Sequence, residues 1–356
     1  MPTDRNMGLI RSHGACHLDW ARTLMCCAVV LTALFVTPGC GSQSAGTGAV
    51  VHTSGQLGDV WWQQMPDLSP VDLADGERLN VVATTSIVAD VVRNVAGEHV
   101  DLLTLVPLNV DPHAFQPTPR EVAAVASAHV VFANGAGLEE FLGNLLQAAG
   151  EGGPVVPVSY SIELLHLDEP DHADEDGEDH GGLDPHTWFD PQNVIVWTEV
   201  IEIVLTALNP AHADDYAANA EVYRGQLRAL DAWIRDQTAL VPQDSRRLVA
   251  DHAVLGYFAA RYGYEQAAAL LPGFSTLAEP SAAEMAALED AIRQWDVRAI
   301  FVGRTANPSL AERVSADTGV ALVFLYTGSL DVPGSAAGDY LSFMRTNVTA
   351  IVEALR

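Results

Sequence analysis

From Leu79 onward the sequence alternates short apolar runs with stretches of helical periodicity. It does so twice, on either side of one long segment nearly free of glycine and proline. Leu79–Ala83, Val100–Val106, His129–Ala133 and Val155–Val158 read as buried strands. Between them, Thr84-Thr85-Ser86 offers N-caps for a helix through Ala96, and Pro119 opens a helix to about Ala128 from the first helical position. Asn134-Gly135 leads to a third helix, Leu138 to Ala148. Strands that alternate with helices form a parallel sheet covered on both faces. The second half repeats the rhythm. Strands at Arg247–Ala250, Tyr264–Leu270, Val297–Val302 and Ala321–Leu325 alternate with helices at Val254–Tyr262, Ser281–Gln294, Ser309–Thr318 and Asp339–Leu355. Ser281 with Glu284 three residues later is a capping-box pattern.

Between the halves, a helix from about Gln192 stops at Asn209-Pro210. His212–Val241 then has only Gly225 to weaken it and would span about 45 Å as one helix. A helix of that length is a strut rather than a hinge. The expected fold is α/β: two lobes, each a mostly parallel sheet flanked by helices, joined by one long linking helix. The N-terminal lobe would take residues 77–208, the linking helix 209–243 and the C-terminal lobe 244–356.

Ahead of the lobes, residues 1–40 have the layout of an export signal. Arg11 and Arg22 lie in a weakly basic region, and Leu24 to Val36 is apolar apart from Thr32, too short for a confident membrane span. Thr37-Pro38-Gly39-Cys40-Gly41-Ser42 then leads into a Gly/Ser/Ala-rich tether over 41–76. Small residues before a cysteine resemble a bacterial lipobox, with Cys40 as the lipidated N-terminus. The expectation is an exported chain on the outer face of the cytoplasmic membrane, or in the periplasm or cell wall.

The cysteines are Cys16, Cys26, Cys27 and Cys40, so nothing past Cys40 can form a thiolate metal site. A bound metal would have to be held by nitrogen and oxygen. The net charge of −28 argues against nucleic acid and favours cationic partners. Ten acidic residues of that excess fall in the run 163–184, which carries His166, His172 and His180 and no lysine or arginine.

That run ends in Asp184-Pro185-His186, and the same tripeptide stands earlier as Asp111-Pro112-His113. In both, proline fixes the loop and leaves the next side chain projecting. His252 follows the strand at Arg247–Ala250. In parallel sheets ligands collect at the carboxyl ends of strands, where the loop of His113 falls. Neutral imidazole suits late first-row metals, and a cysteine-free zinc site would join three histidines to a carboxylate or water. His99, His129 and His212 sit in no motif and read as surface or strand-edge histidines.

Three segments carry a family resemblance: Asp111-Pro-His-Ala-Phe-Gln-Pro-Thr-Pro-Arg120, Asp184-Pro-His-Thr-Trp-Phe-Asp-Pro191 and His252-Ala-Val-Leu-Gly-Tyr-Phe-Ala-Ala-Arg-Tyr-Gly263. With Glu279-Pro280-Ser281 and Tyr340–Asn347, they resemble the signatures of zinc/manganese solute-binding proteins of ABC importers, the cluster A-I or TroA-like family. The resemblance covers about residues 79–356. It implies two α/β lobes with one metal between them, held by His113, His186 and His252. The family's fourth ligand is commonly an Asp where Gly328 stands here. Asp331, three residues on, is the expected substitute, with Glu279 or water as alternatives. Glu279 is otherwise a residue supporting the ligands from behind.

The resemblance further implies a protein that is not an enzyme and that delivers Zn2+ to a permease and its ATPase. It would act as a monomer held at the membrane by its N-terminal lipid, with a metallochaperone as a possible further partner. In the family, a His/Asp-rich loop before the second histidine marks zinc importers, so His166, His172 and His180 are expected to collect metal. Three imidazoles and one carboxylate suit zinc, whereas Mn2+ would call for more oxygen ligands. The alternatives are a manganese-selective homologue, a surface metal buffer or adhesin, and a zinc hydrolase. A hydrolase needs an open metal position and a general base, and the sequence has no His-Glu-x-x-His motif.

Overall fold

The computed structural model describes residues 63–150, 152–166, 182–271, 273–277 and 280–356. The expected export signal, Cys40, most of the tether, His172, His180 and Glu279 lie outside the described residues. In the first lobe β1 (Leu79–Ala83), β2 (Val100–Thr104), β3 (Val130–Ala133) and β4 (Val155–Pro157) form a parallel sheet in the order β2-β1-β3-β4. In the second, β5 (Arg247–Ala250), β6 (Glu265–Ala269), β7 (Ala299–Gly303) and β8 (Ala321–Leu325) repeat it as β6-β5-β7-β8. In each sheet the chain leaves the first strand to one side and returns on the other. The carboxyl ends of β1 and β3, and of β5 and β7, therefore flank a crevice from which loops diverge.

The strands read as apolar runs because helices cover both faces. All four residues of β3, Val-Val-Phe-Ala, are buried, as are all five of β7. The helices are α1 (Ser86–Ala96), α2 (Pro119–Ala126), α3 (Leu142–Ala149), α4 (Pro191–Leu208), α5 (Ala213–Thr238), α6 (Gly256–Tyr262), α7 (Ala282–Gln294), α8 (Ser309–Thr318) and α9 (Tyr340–Leu355). Thr85 Oγ1 caps α1 by accepting from Val88 N, and Ser281 caps α7 with Glu284 answering from the third position. The third helix begins at Leu142 rather than at the expected Leu138. Gly135, Ala136 and Gly137 all take positive φ, of 82°, 54° and 85°, and coil the chain before it can start.

The long helix α5 is built on one stripe. Tyr216, Ala220, Tyr223, Leu227, Leu230 and Ile234 are buried at alternating spacings of four and three. That spacing keeps a single seam facing inward along the helix. The seam packs on α1 and α4 of the first lobe and on α9 of the second. Each large side chain in it stabilises the contact by roughly 1.5–3 kcal/mol. At 26 residues α5 is about 39 Å long.

Polar contacts fasten the lobes where the seam ends. Leu330 N donates to Ser86 Oγ at 2.9 Å, and Asn109 N to Ser329 Oγ at 2.9 Å. Trp188 Nε1 donates to Thr327 O at 2.9 Å, and Tyr340 OH to Trp188 O at 2.7 Å. Asp90, buried on α1, accepts from Tyr340 N at the start of α9 and from Tyr223 OH of α5. One carboxylate thus touches both lobes and the strut.

Burial pushes the Asp90 carboxyl up to about 6, against the pull of the Tyr340 N–H and of Arg93. The native state then holds this proton more tightly than the unfolded chain does between about pH 4 and 6. Ionising Asp90 costs stability as pH rises through that window. Asp90→Asn keeps an acceptor for Tyr340 N and removes the charge. It is expected to stabilise the protein by about 1–3 kcal/mol at pH 7, with no difference below pH 4, as urea unfolding at both pH values will measure.

Candidate metal centre

Both Asp-Pro-His tripeptides fold in the same way. Asp111 Oδ1 accepts from His113 N at 3.0 Å, and Asp184 Oδ1 from His186 N at 2.9 Å. An aspartate bonding to the backbone two residues on makes a small turn, and the intervening proline sets its φ. Each turn therefore throws its imidazole forward from a fixed base. His113 leaves the loop after β2, and His186 comes up beside β3, where Asn134 Nδ2 holds Pro185 O at 2.9 Å. Asn134 is itself fixed by Glu139, a buried residue whose carboxylate accepts from Thr84 Oγ1, Asn134 N and Gly135 N. Those donors stand at the ends of β1 and β3, so Glu139 pins the crevice of the first lobe. Burial raises its pKa. His252 stands just past β5, at the matching point of the second lobe.

The three rings meet between the lobes. His186 Nε2 lies 3.3 Å from His113 Nε2 and 3.3 Å from His252 Nε2. His186 and His252 are buried and His113 is partly so. Burial and the neighbouring rings depress His113 to about 4 and push His186 well below the ordinary histidine range. These two rings are therefore neutral, with lone pairs to offer. A tetrahedral ion bonded to nitrogen at 2.0–2.1 Å would set its donors about 3.3 Å apart, which is the spacing of both pairs that include His186.

Carboxylates behind two of the rings fix which nitrogen faces forward. Asp184 Oδ1 lies 2.8 Å from His186 Nδ1, and Asp251 Oδ1 2.7 Å from His252 Nδ1. When the carboxylate is ionised it takes the Nδ1–H, leaving Nε2 as a ligand with raised basicity. Burial lifts Asp184 to about 8, opposed by the His186 N–H. A cation at Nε2 favours the ionised form.

Two glycines make room for these carboxylates. A Cβ on Gly256 would come within 2.5 Å of Asp184 Oδ2. A Cβ on Gly303 would clash with Thr327 Oγ1 and crowd Asp251 Oδ2 at 3.2 Å, which accepts from Gly303 N at 2.7 Å. From sequence, Asp184 reads only as part of the Asp-Pro-His turn, and Asp251 and Glu139 are not singled out. An aspartate next to or two residues before each of the two central histidines is the signal that could have found the first pair.

The expected fourth ligand does not join the imidazoles. Asp331 accepts from Val332 N at 2.7 Å and from Tyr326 OH at 3.2 Å, and Asn109 Nδ2 is 3.5 Å away. The loop is held so that Asp331 turns outward, because Asn109 and Ser86 anchor Ser329 and Leu330. Asp331 does not line the small cavity, of about 10 Å³, around the rings; Asp111, Pro112, Thr276, Thr305, Thr327 and Gly328 do. Gly328 abuts Pro112, where an added Cβ would lie 2.8 Å from Cδ. Among the described residues the carboxylate lining the cavity is that of Asp111, whose oxygens are engaged by His113 N and Thr276 Oγ1.

His166 is exposed and forms an antiparallel bridge with Leu183, at the mouth of the acidic run. His129 Nδ1 accepts from Asn80 N at 2.9 Å, which fits its reading as a strand-edge residue. If the aspartates aim the rings, crowding one of them should cost affinity without unfolding the protein. Gly256→Ala is expected to weaken metal binding roughly 10–100-fold, measured by competitive titration with a chelating dye.

The chain is similar to known metal-binding proteins over most of its length. Residues 81–354 match the family model described as the zinc-uptake complex component A, periplasmic (ZnuA). The manganese-binding lipoprotein MntA of Halalkalibacterium halodurans is 32% identical over 328 residues, covering 92% of this chain and 97% of the relative. The manganese ABC transporter substrate-binding lipoprotein PsaA of Streptococcus pneumoniae is 29% identical, over 80% and 91%. Among solved structures, the periplasmic zinc-binding protein TroA of Treponema pallidum superposes with a TM-score of 0.70 at 28% identity, covering 79% of this chain and 99% of TroA. The Mn-bound periplasmic metal-binding protein of Candidatus Liberibacter asiaticus gives 0.68 at 26%, over 79% and 100%. Two parallel-sheet lobes, a helical strut and the sequence match make one conclusion: the chain belongs to the ZnuA/TroA-like cluster A-I family of extracytoplasmic metal-binding proteins of ABC transporters.

Proposed function

We propose that this protein captures zinc between its lobes on His113, His186 and His252 and passes it to an ABC permease and its ATPase. The observation that carries this reading is the donor set. Three imidazole nitrogens converge, and the Asp111 carboxylate beside them already holds two hydrogen bonds. Imidazole-rich sites favour zinc, whereas Mn2+ and other hard cations seek oxygen. Water completes the shell in this reading, in place of Asp331. A carrier fits better than a hydrolase, since Asp111, with its oxygens engaged, is a poor general base.

Manganese is the second reading, and the names of two relatives, MntA and PsaA, favour it. Both relatives are also named lipoproteins, which supports Cys40 as a lipid anchor and an N-terminal hold on the membrane. The acidic run with His166, His172 and His180 serves as an accessory collector of the metal. Deleting residues 167–182 should leave the tight site unchanged.

Competitive titration with Zn2+ and Mn2+ decides between the metals. Zinc is expected to bind more tightly than manganese, and His113→Ala, His186→Ala and His252→Ala each to weaken zinc at least tenfold. Tighter manganese binding would establish the second reading. Unchanged zinc affinity in all three variants would remove the site itself.

A further inference from the structure

A second cluster of metal-ligating side chains lies away from the interlobe site. His99 stands in the turn between α1 and β2, and His212 and Asp215 at the start of α5. His99 Nε2 is 3.1 Å from Asp215 Oδ2, and His212 Nδ1 is 3.4 Å from the same oxygen. The two rings stack with centroids 3.8 Å apart and planes 22° from parallel. We infer that His99, His212 and Asp215 form a second, solvent-facing site for a late first-row divalent cation.

The donors come from segments more than a hundred residues apart, yet their backbones are fixed. His99 N donates to Ala96 O, His212 N to Asn209 O, and Asn219 Nδ2 ties α5 to Val95 O on α1. The buried Tyr216 ring packs edge-on to both imidazoles, 5.8 Å and 6.4 Å away. The three ligand atoms lie within 4.8 Å of one another. The two nitrogen–oxygen separations bracket the spacing of about 3.3 Å that a tetrahedral ion with 2.0–2.1 Å bonds sets between donors. An ion would replace two contacts to one carboxylate oxygen with three bonds, once the two rings tilt out of their stack to aim both lone pairs at it.

Chemistry and placement set what the site can take. Two imidazoles and a carboxylate suit Zn2+, Ni2+ and Cu2+, with copper tightest by intrinsic affinity. The start of α5 presents a positive dipole end, which Asp214 and Asp215 in its first turn offset. His99 and His212 keep 29% and 40% of their side-chain surface exposed, so water completes the shell. Exposure makes this the weaker of the two sites. His99 directly precedes β2 and His113 lies beyond its end, so the five-residue strand, about 16 Å long, separates the sites. Binding here is independent of the interlobe histidines and of the function proposed for them.

Histidine modification by diethylpyrocarbonate, read by peptide mass spectrometry on the full chain, tests the site. Protein already saturated with one equivalent of Zn2+ is titrated with further Zn2+. His99 and His212 are expected to become protected together, at one shared zinc concentration, and to do so equally in His113→Ala. Asp215→Asn should raise that concentration at least tenfold while thermal melting stays unchanged. Absence of protection at millimolar zinc overturns the proposal, as does protection undiminished in Asp215→Asn.

Discussion

Three imidazole nitrogens facing one another, with His186 Nε2 3.3 Å from each of the other two, are unfavourable unless something positive sits among them. Most of the described structure can be read as the means of holding that arrangement. Two buried aspartates anchor His186 and His252 from behind, so Nε2 is the atom each presents. Gly256 leaves room for Asp184 by having no side chain, and Gly303 does so for Thr327 and, less tightly, for Asp251. Glu139 closes the chain of support in the first lobe by fixing Asn134, which fixes the turn of His186. Desolvation then does the chemical work. It keeps His113 and His186 neutral, and a cation entering a buried site feels their dipoles with little competition from water.

The interlobe site depends equally on parts that touch no ligand. The two sheets share one topology, so each offers a crevice at the carboxyl end of its central strands. The seam of α5 and the contacts around Trp188, Thr327 and Tyr340 bring the two crevices face to face. Asp90 lies at the junction of both lobes and the strut and is held there at an electrostatic cost.

Much of this was legible in the sequence. The bounds of β1, α1, β5, α8 and β8 follow from apolar runs, caps and glycine stops, because buried parallel strands carry a dense local pattern. The histidines stood out because two of them share a tripeptide whose turn is local chemistry. What sequence could not give was set by long-range contacts. Glu139 looks like an ordinary helix-start residue, yet its carboxylate is consumed by donors from two strand ends. Asp331 stands three residues past Gly328, which lines the cavity around the rings. Ser86 and Asn109, more than two hundred residues away, decide that its loop turns outward. His99 and His212 looked isolated because their neighbourhood exists only once α5 lies against α1.

The unbroken stripe along α5 has a kinetic consequence. A helix packed along its whole length cannot fold at a pivot, so the lobes have no wide, low-barrier swing by which to let an ion go. In the proposed function, release then falls to the short loops at the rim, where Gly328 abuts Pro112 and Thr276 Oγ1 donates to Asp111 Oδ2. The dwell time of a bound ion is then governed by the lifetime of a few small contacts at the rim. A docking membrane partner could shorten it by prising those contacts apart, without bending the spine.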